Sequence, residues 1–393
     1  MSALFSSFSQ FILLAVSTWV LFRVFGHYFT KSPLDNIPGP PRGSWLTGDH
    51  HNRQRKIMNP AFSTPNIRLM TPIFYHVAHQ MRDAIVIKVG ESQQEVDILR
   101  WVGRAALEMI GQGGLGFSFD PLREAAVEDA LKDLVPMLNK FDVLRPCVTY
   151  IAKLGTPSFR RHLTGLLPSA NVQRMKQIVD TMYDTSRYIF NIQSSADKAD
   201  STASLKDRNK VKGKDVMSLL LKSHAIGEHL GDEELVSHIS TMLFAGTDTT
   251  SNALARTLQL LAEHQDIQDE LRAELVDAGS GEDIPYERLV GLPLLDAVCR
   301  ETLRLYPPAP VAMRESGHEV LLPLSTPIIG LDGEVIREIL VPAGTIILIS
   351  ILSCNRDKAV WGEDALQWNP SRWLSRLPET VIQARIPGVY SNL

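Results

Sequence analysis

From Asp232 to about His264 the sequence carries a helical pattern for some thirty residues. At about 1.5 Å per residue such a helix is on the order of 50 Å long, enough to cross a whole domain and to set the axis around which the rest packs. Its centre breaks local rules. "LFAGTDTTS", Leu243 to Ser251, puts a glycine, three threonines and an aspartate side by side. None is a strong helix former, and Gly246 alone costs about 1 kcal/mol relative to alanine. Ala245 and Gly246 remove bulk, so something flat can approach the backbone closely. Threonine hydroxyls can bond back to carbonyls one turn earlier and bend the helix. Asp248 beside Thr249 sets an acid and an alcohol next to that opening, a relay for protons. A packing notch of small residues accounts for the same composition, but local rule-breaking inside an otherwise consistent helix favours function.

Helix predominates elsewhere. "NIRLMTPIFYHVAHQMRDAIVIKV" and "VDILRWVGRAALEMIGQG" repeat apolar residues at three and four, "DIQDELRAELVDAG" reads as a helix ending at Gly279, and Pro293 to Tyr306 as another, stopped by Pro307 and Pro308. Strand signals are few and late: "EVLLP", "TPIIG" and "GTIILISIL". Residues 192–215 are polar and charged and read as an exposed loop within a domain. The fold class is mainly α with a small β portion. The 393 residues are 44% hydrophobic with a net charge of −4, which is globular composition and gives no reason to expect nucleic acid as a partner. Three widely spaced cysteines, Cys147, Cys299 and Cys354, argue against a disulfide framework and for a reducing compartment.

The N-terminus points to a bilayer. Ala3 to Phe22 carries no charge, and Arg23, His27 and Lys31 follow it while nothing basic precedes it. That order suits a single-pass anchor with a cytosolic body rather than a cleaved signal peptide. "IPGPP", residues 37–41, forms a stiff exit. The expected organisation is an anchor with its flank over 1–31, a Pro-rich hinge over 32–48, and a single partial domain over 49–393. "GQGGLG", Gly111 to Gly116, matches a dinucleotide pattern but follows a helix instead of a strand, so the glycines end that helix. In "CRETLRLYPP", Glu301 and Arg304 share a helix face that apolar neighbours mark as buried. A buried arginine needs several acceptors, and "NPSRW", with Arg372, is placed to join such a network. "HHNRQRKIMNPAFS" gathers Arg53, Arg55 and Lys56, a set that suits carboxylates or simply a solvated face.

Taken in order, the anchor and hinge, AGxDTT in a long helix, ExxR in a later helix and NPxRW resemble the cytochrome P-450 family of haem-thiolate monooxygenases, in its microsomal, fungal form. The resemblance implies haem b as cofactor, a membrane-bound NADPH-dependent reductase as electron donor and a small apolar substrate, in secondary metabolism at the endoplasmic reticulum membrane. It implies that Ala245 and Gly246 lie over the haem face and that Asp248 and Thr249 deliver protons. Glu301, Arg304 and Arg372 become a structural network behind the haem. Arg55 becomes a propionate ligand, with His51 at the position that is often Trp in the family, and Arg314 in "APVAMRES" a further one. Two departures stand out. Nine residues separate Pro41 from His51, where the family has a longer stretch with the first sheet strands. No FxxGxRxCxG loop is present, and none of the three cysteines readily replaces its thiolate. The expectation is an incomplete cytochrome P-450 fold without the axial cysteine or final helix. Its apolar surfaces would be partly uncovered, and the alternative to catalysis is an inactive, membrane-anchored helical remnant that binds haem poorly or not at all.

Overall fold

The computed structural model describes residues 63–90, 95–119, 121–141, 151, 153, 155–200, 217 and 231–384. In chain order the helices are α1 (Thr64–Val89), α2 (Ile98–Met109), α3 (Pro121–Lys140), α4 (Pro157–Leu166), α5 (Ala170–Asp200), α6 (Asp232–Glu263), α7 (Gln265–Gly279), α8 (Tyr286–Leu289) and α9 (Pro293–Leu305). Four strands follow: β1 (Val311–Glu315), β2 (Val320–Ile329), β3 (Val335–Val341) and β4 (Ile346–Ser350). Short helices α10 (Ile351–Asn355) and α11 (Lys358–Trp361), a 3₁₀ turn Pro370–Leu374, and α12 (Glu379–Ala384) complete it. Two compact units are distinguished. The described part of one is mainly Met313–Ile349; the other holds the helices described above, from α1 to α12.

In the helical unit, α6 runs unbroken through "LFAGTDTTS". Asp232, Glu233 and Glu234 occupy its first turn, where the helix dipole favours negative charge. Its buried face, including Leu235, Ile239 and Leu243, packs with Leu107 on α2 and Leu115 after it, Leu131 on α3, and Ile178 and Ile189 on α5. Each such side chain contributes about 1.5–3 kcal/mol by leaving water. After the proline at the first position of α9, the backbone N–H groups without a helical acceptor go to Glu274 of α7, whose carboxylate accepts from Leu294 N (2.9 Å) and Leu295 N (3.0 Å).

The glycines of "GQGGLG" end α2 in a turn of π-helix, Ile110–Gly114. A Cβ on Gly111 would lie 2.6 Å from Phe117 O and 2.8 Å from the Phe119 ring, so close approach and not phosphate binding accounts for that glycine. The loop expected over 192–215 is corrected at its start: α5 continues to Asp200, and Gln193 Nε2 donates to Gly116 O at 2.8 Å. Residues 201–216, like the expected anchor and hinge, lie outside the described residues.

In the other unit β2 and β3 pair antiparallel, from Val320↔Val341 to Ile329↔Val335. The register shifts between Pro323 and Ile328, where Pro323 and Pro327 offer no N–H to the ladder. β2 joins the two expected runs "EVLLP" and "TPIIG", whereas "GTIILISIL" divides into β4 and α10. β1 pairs with β4.

Candidate active site

The special stretch of α6 faces three surroundings. Ala245 and Thr249 lie on an exposed stripe, and Thr249 Oγ1 donates back to Ala245 O at 2.6 Å. At Gly246 a Cβ would stand 2.6 Å from Ile110 Cδ1. The glycine lets the π-turn after α2 seat against α6. Asp248 points toward a third environment, a cavity of about 610 Å³. Asn252 Nδ2 donates to Asp248 O at 2.7 Å and to its Oδ1 at 3.3 Å. Burial pushes the Asp248 carboxyl above the usual carboxylate range, and the Asn252 hydrogen bond partly offsets this. Asp248 and Thr249 therefore sit on neighbouring faces, each engaged with its own partner.

Glu301, Arg304 and Arg372 meet in a buried network. Arg304 is fully buried and uses all five of its N–H donors. Nε and Nη2 grip Glu301 Oε2 and Oε1, both at 2.8 Å, Nη1 reaches Asn355 O (2.6 Å) and Ala365 O (2.7 Å), and Nη2 also reaches Gln367 O (3.1 Å). Glu301 further accepts from Asn369 N (3.0 Å) and Trp373 Nε1 (2.9 Å). Arg372 approaches Glu301 at 3.5 Å, but its short contact, 2.7 Å, is to Asp364 Oδ2. The Arg372 hydrogen bond holds the Asp364 carboxyl below the usual carboxylate range. Asp364 was not legible as a member, since it stands eight residues before Arg372 in an irregular segment with no helical spacing to pair them.

The cavity beside Asp248 brings in residues without any motif. Arg256, two turns along α6, stacks over the Tyr306 ring at 4.3 Å, and Arg356 lies over the same ring at 5.2 Å. Both arginines line the cavity with Pro307 and Pro308. The remaining expected residues fall apart from this group. His51 and Arg55 lie outside the described residues. Arg314, in β1, belongs to the other unit; it is exposed and donates to the neighbouring Met313 O at 2.8 Å.

The family model for cytochrome P-450 matches residues 44–383. The chain belongs to the cytochrome P-450 family. It is 48% identical over 355 residues to cytochrome P-450 monooxygenase 219 of Postia placenta, covering 88% of this chain and 65% of that one. It is 43% identical over 358 residues to ganoderic acid synthetase CYP5150L8 of Ganoderma lucidum, again covering 88% and 65%. Among solved structures, retinoic acid-bound cyanobacterial CYP120A1 is similar with a TM-score of 0.59 at 19% identity, covering 83% of this chain and 62% of that one. That likeness shows the cytochrome P-450 fold. The chain thus spans about two-thirds, 65%, of the length of these two fungal relatives.

Membership of the family implies haem, and the described residues meet that requirement on one side. Ala245 is small and Thr249 has its hydroxyl folded onto the backbone, so the exposed stripe of α6 can accept a flat ring. The thiolate side is different. Burial, and then the nearby carboxylates Asp296 and Asp357 respectively, push the thiols of Cys299 and Cys354 upward, toward the protonated form and away from iron-binding thiolate. It is family membership that implies haem as the cofactor. Among the described residues, no helix is long and apolar enough to cross a membrane; the expected anchor, Ala3–Phe22, lies outside them.

Proposed function

We propose that this chain belongs to a haem-dependent monooxygenase inserting one oxygen atom into a small apolar metabolite of secondary metabolism. The observation that carries the reading is the acid–alcohol pair Asp248–Thr249, set on α6 between a stripe able to receive a flat cofactor and a cavity lined in part by apolar residues. Haem, when bound, supplies the oxygen chemistry. The protein's own contribution is placement. Asp248, with its carboxyl pushed up by burial, is suited to take a proton from water in the cavity and hold it near the helix face. Thr249 keeps a hydroxyl on the neighbouring face, and Asn252 fixes the acid. The ganoderic acid synthetase relative supports a secondary-metabolic role. Electrons come from an NADPH-dependent reductase in the same membrane, with the N-terminal apolar run anchoring the chain to the endoplasmic reticulum and the body in the cytosol.

A second reading is a membrane-anchored helical protein that binds haem poorly, favoured by the upward push that burial gives the thiols of Cys299 and Cys354. Expressing the full chain in membranes, reducing it and adding carbon monoxide separates the two. A Soret band of the thiolate-ligated type upholds the monooxygenase. Its absence, in protein that retains helical circular dichroism, upholds the second reading.

A further inference from the structure

Strand β4 carries no charge, and Ile346, Ile347, Leu348 and Ile349 make it apolar up to its last residue, Ser350. Successive residues of a strand point to opposite faces, so a run apolar on both suits a strand covered on both. β4 stands otherwise. Its sheet has two strands, and Leu348 and Ile349, on opposite faces, are 61% and 45% exposed. On one side it meets β1. Ser316 N, just after β1, donates to Thr345 O, just before β4, at 2.9 Å, so the two strands run antiparallel. On its other side no strand flanks it among the described residues. β1 differs, because it carries Arg314 and Glu315, both exposed, and charges on an edge strand deter the addition of another. β4 has neither a charge nor a proline to do so.

We propose that β4 is a self-complementary interface and pairs, across a twofold axis, with β4 of a second copy of this chain. Antiparallel pairing centred on Leu348 sets that residue against its own copy, Ile347 against Ile349, and Ile346 against Ser350. No charge is opposed or buried in that register. The product is a four-stranded sheet whose two outer strands are both β1, the charged one. Pairing therefore closes at two copies instead of growing into a fibre. Four strands also pass the size at which a sheet becomes stable in its own right, which two strands do not reach. The pairing uses nothing of the haem site and is independent of the monooxygenase reading.

The test uses the full chain in mild detergent, its mass followed by sedimentation velocity over a wide range of concentration. A one-strand interface is small, so the dimer is expected to appear as concentration rises. Leu348→Lys removes an apolar pair and sets two like charges opposite each other. It is expected to raise the dissociation constant about tenfold. Leu348 is exposed, so the melting curve and helical circular dichroism of L348K are expected to match the wild type. Leu348→Cys, in membranes under mild oxidation, is expected to form an intermolecular disulfide, since residues directly opposite have Cβ atoms about 4.5–5.5 Å apart. Ile346→Cys, which faces Ser350 in that register, is expected to stay at the background set by the three natural cysteines. A monomer at every concentration, as when another segment of the chain covers β4, overturns the proposal. So does a dimer that L348K leaves intact, as when the N-terminal apolar run joins the copies.

Discussion

At Arg304 every donor has an acceptor, and each acceptor is itself buried or part-buried, so the side chain joins α9 to three carbonyls more than fifty residues away. Arg304→Met should leave the buried Glu301 without its bidentate partner, with Arg372 3.5 Å away as the remaining cation, and cost about 3–5 kcal/mol in urea unfolding. The double variant E301L/R304M should recover part of that loss, because it removes the stranded charge along with its partner. Asp364 adds a pH dependence. Its carboxyl is held low in the folded state by Arg372, so its contribution is present above the unfolded value near pH ~4 and is lost as pH falls through the folded one. Melting temperatures of Asp364→Asn and wild type should therefore converge as the solution is acidified below that range. Asp248 has the opposite sign. Its carboxyl is raised, so its contribution is present in acid and fades as pH rises through the raised value. Asp248→Asn should leave the neutral-pH melting temperature unchanged or slightly higher, a solvent-screened gain under about 1 kcal/mol, while slowing turnover in a working enzyme.

Among the elements, α6 was the most legible, because a helical repeat sustained over thirty-two residues leaves little alternative. The roles of its small residues were less so. Ala245 and Gly246 are adjacent in sequence, but successive helical residues turn by about 100°, and one faces solvent while the other receives Ile110. Gly246→Val should thus destabilise by about 1–3 kcal/mol through overpacking, and Ile110→Ala in the same chain should relieve much of it. An equal penalty in both backgrounds, measured as a double-mutant cycle, would show that helix propensity and not contact with Ile110 explains the glycine. The strands were read less accurately. A run of apolar β-branched residues such as "GTIILISIL" suits a strand and a buried helix turn alike, and the boundary at Ser350 comes from the Ser350 side chain capping α10 by accepting from Ser353 N at 3.3 Å.

For the whole molecule, burial divides sharply between the two units. The described core lies in the helices, whereas in the β2–β3 hairpin Leu321, Ile329, Leu331 and Val335 are each more than half exposed. Native-state hydrogen exchange should find the slowest amides in the buried turns of α6 and α9 and the fastest strand amides in this hairpin. A hairpin as protected as α6 would contradict that ordering. The sequence by itself determined the family, from motifs in a fixed order along the chain, the helical class, and the pairing of Glu301 with Arg304, because spacing within one helix is converted by local geometry directly into proximity. Tertiary structure alone decided that Asp364 takes Arg372, that Gly246 serves packing, and that Arg256 and Arg356 converge on Tyr306 from fifty residues to either side. Those pairings depend on how helices and irregular segments meet in space, and no periodicity along the chain encodes which distant side chains will share a ring or a carboxylate.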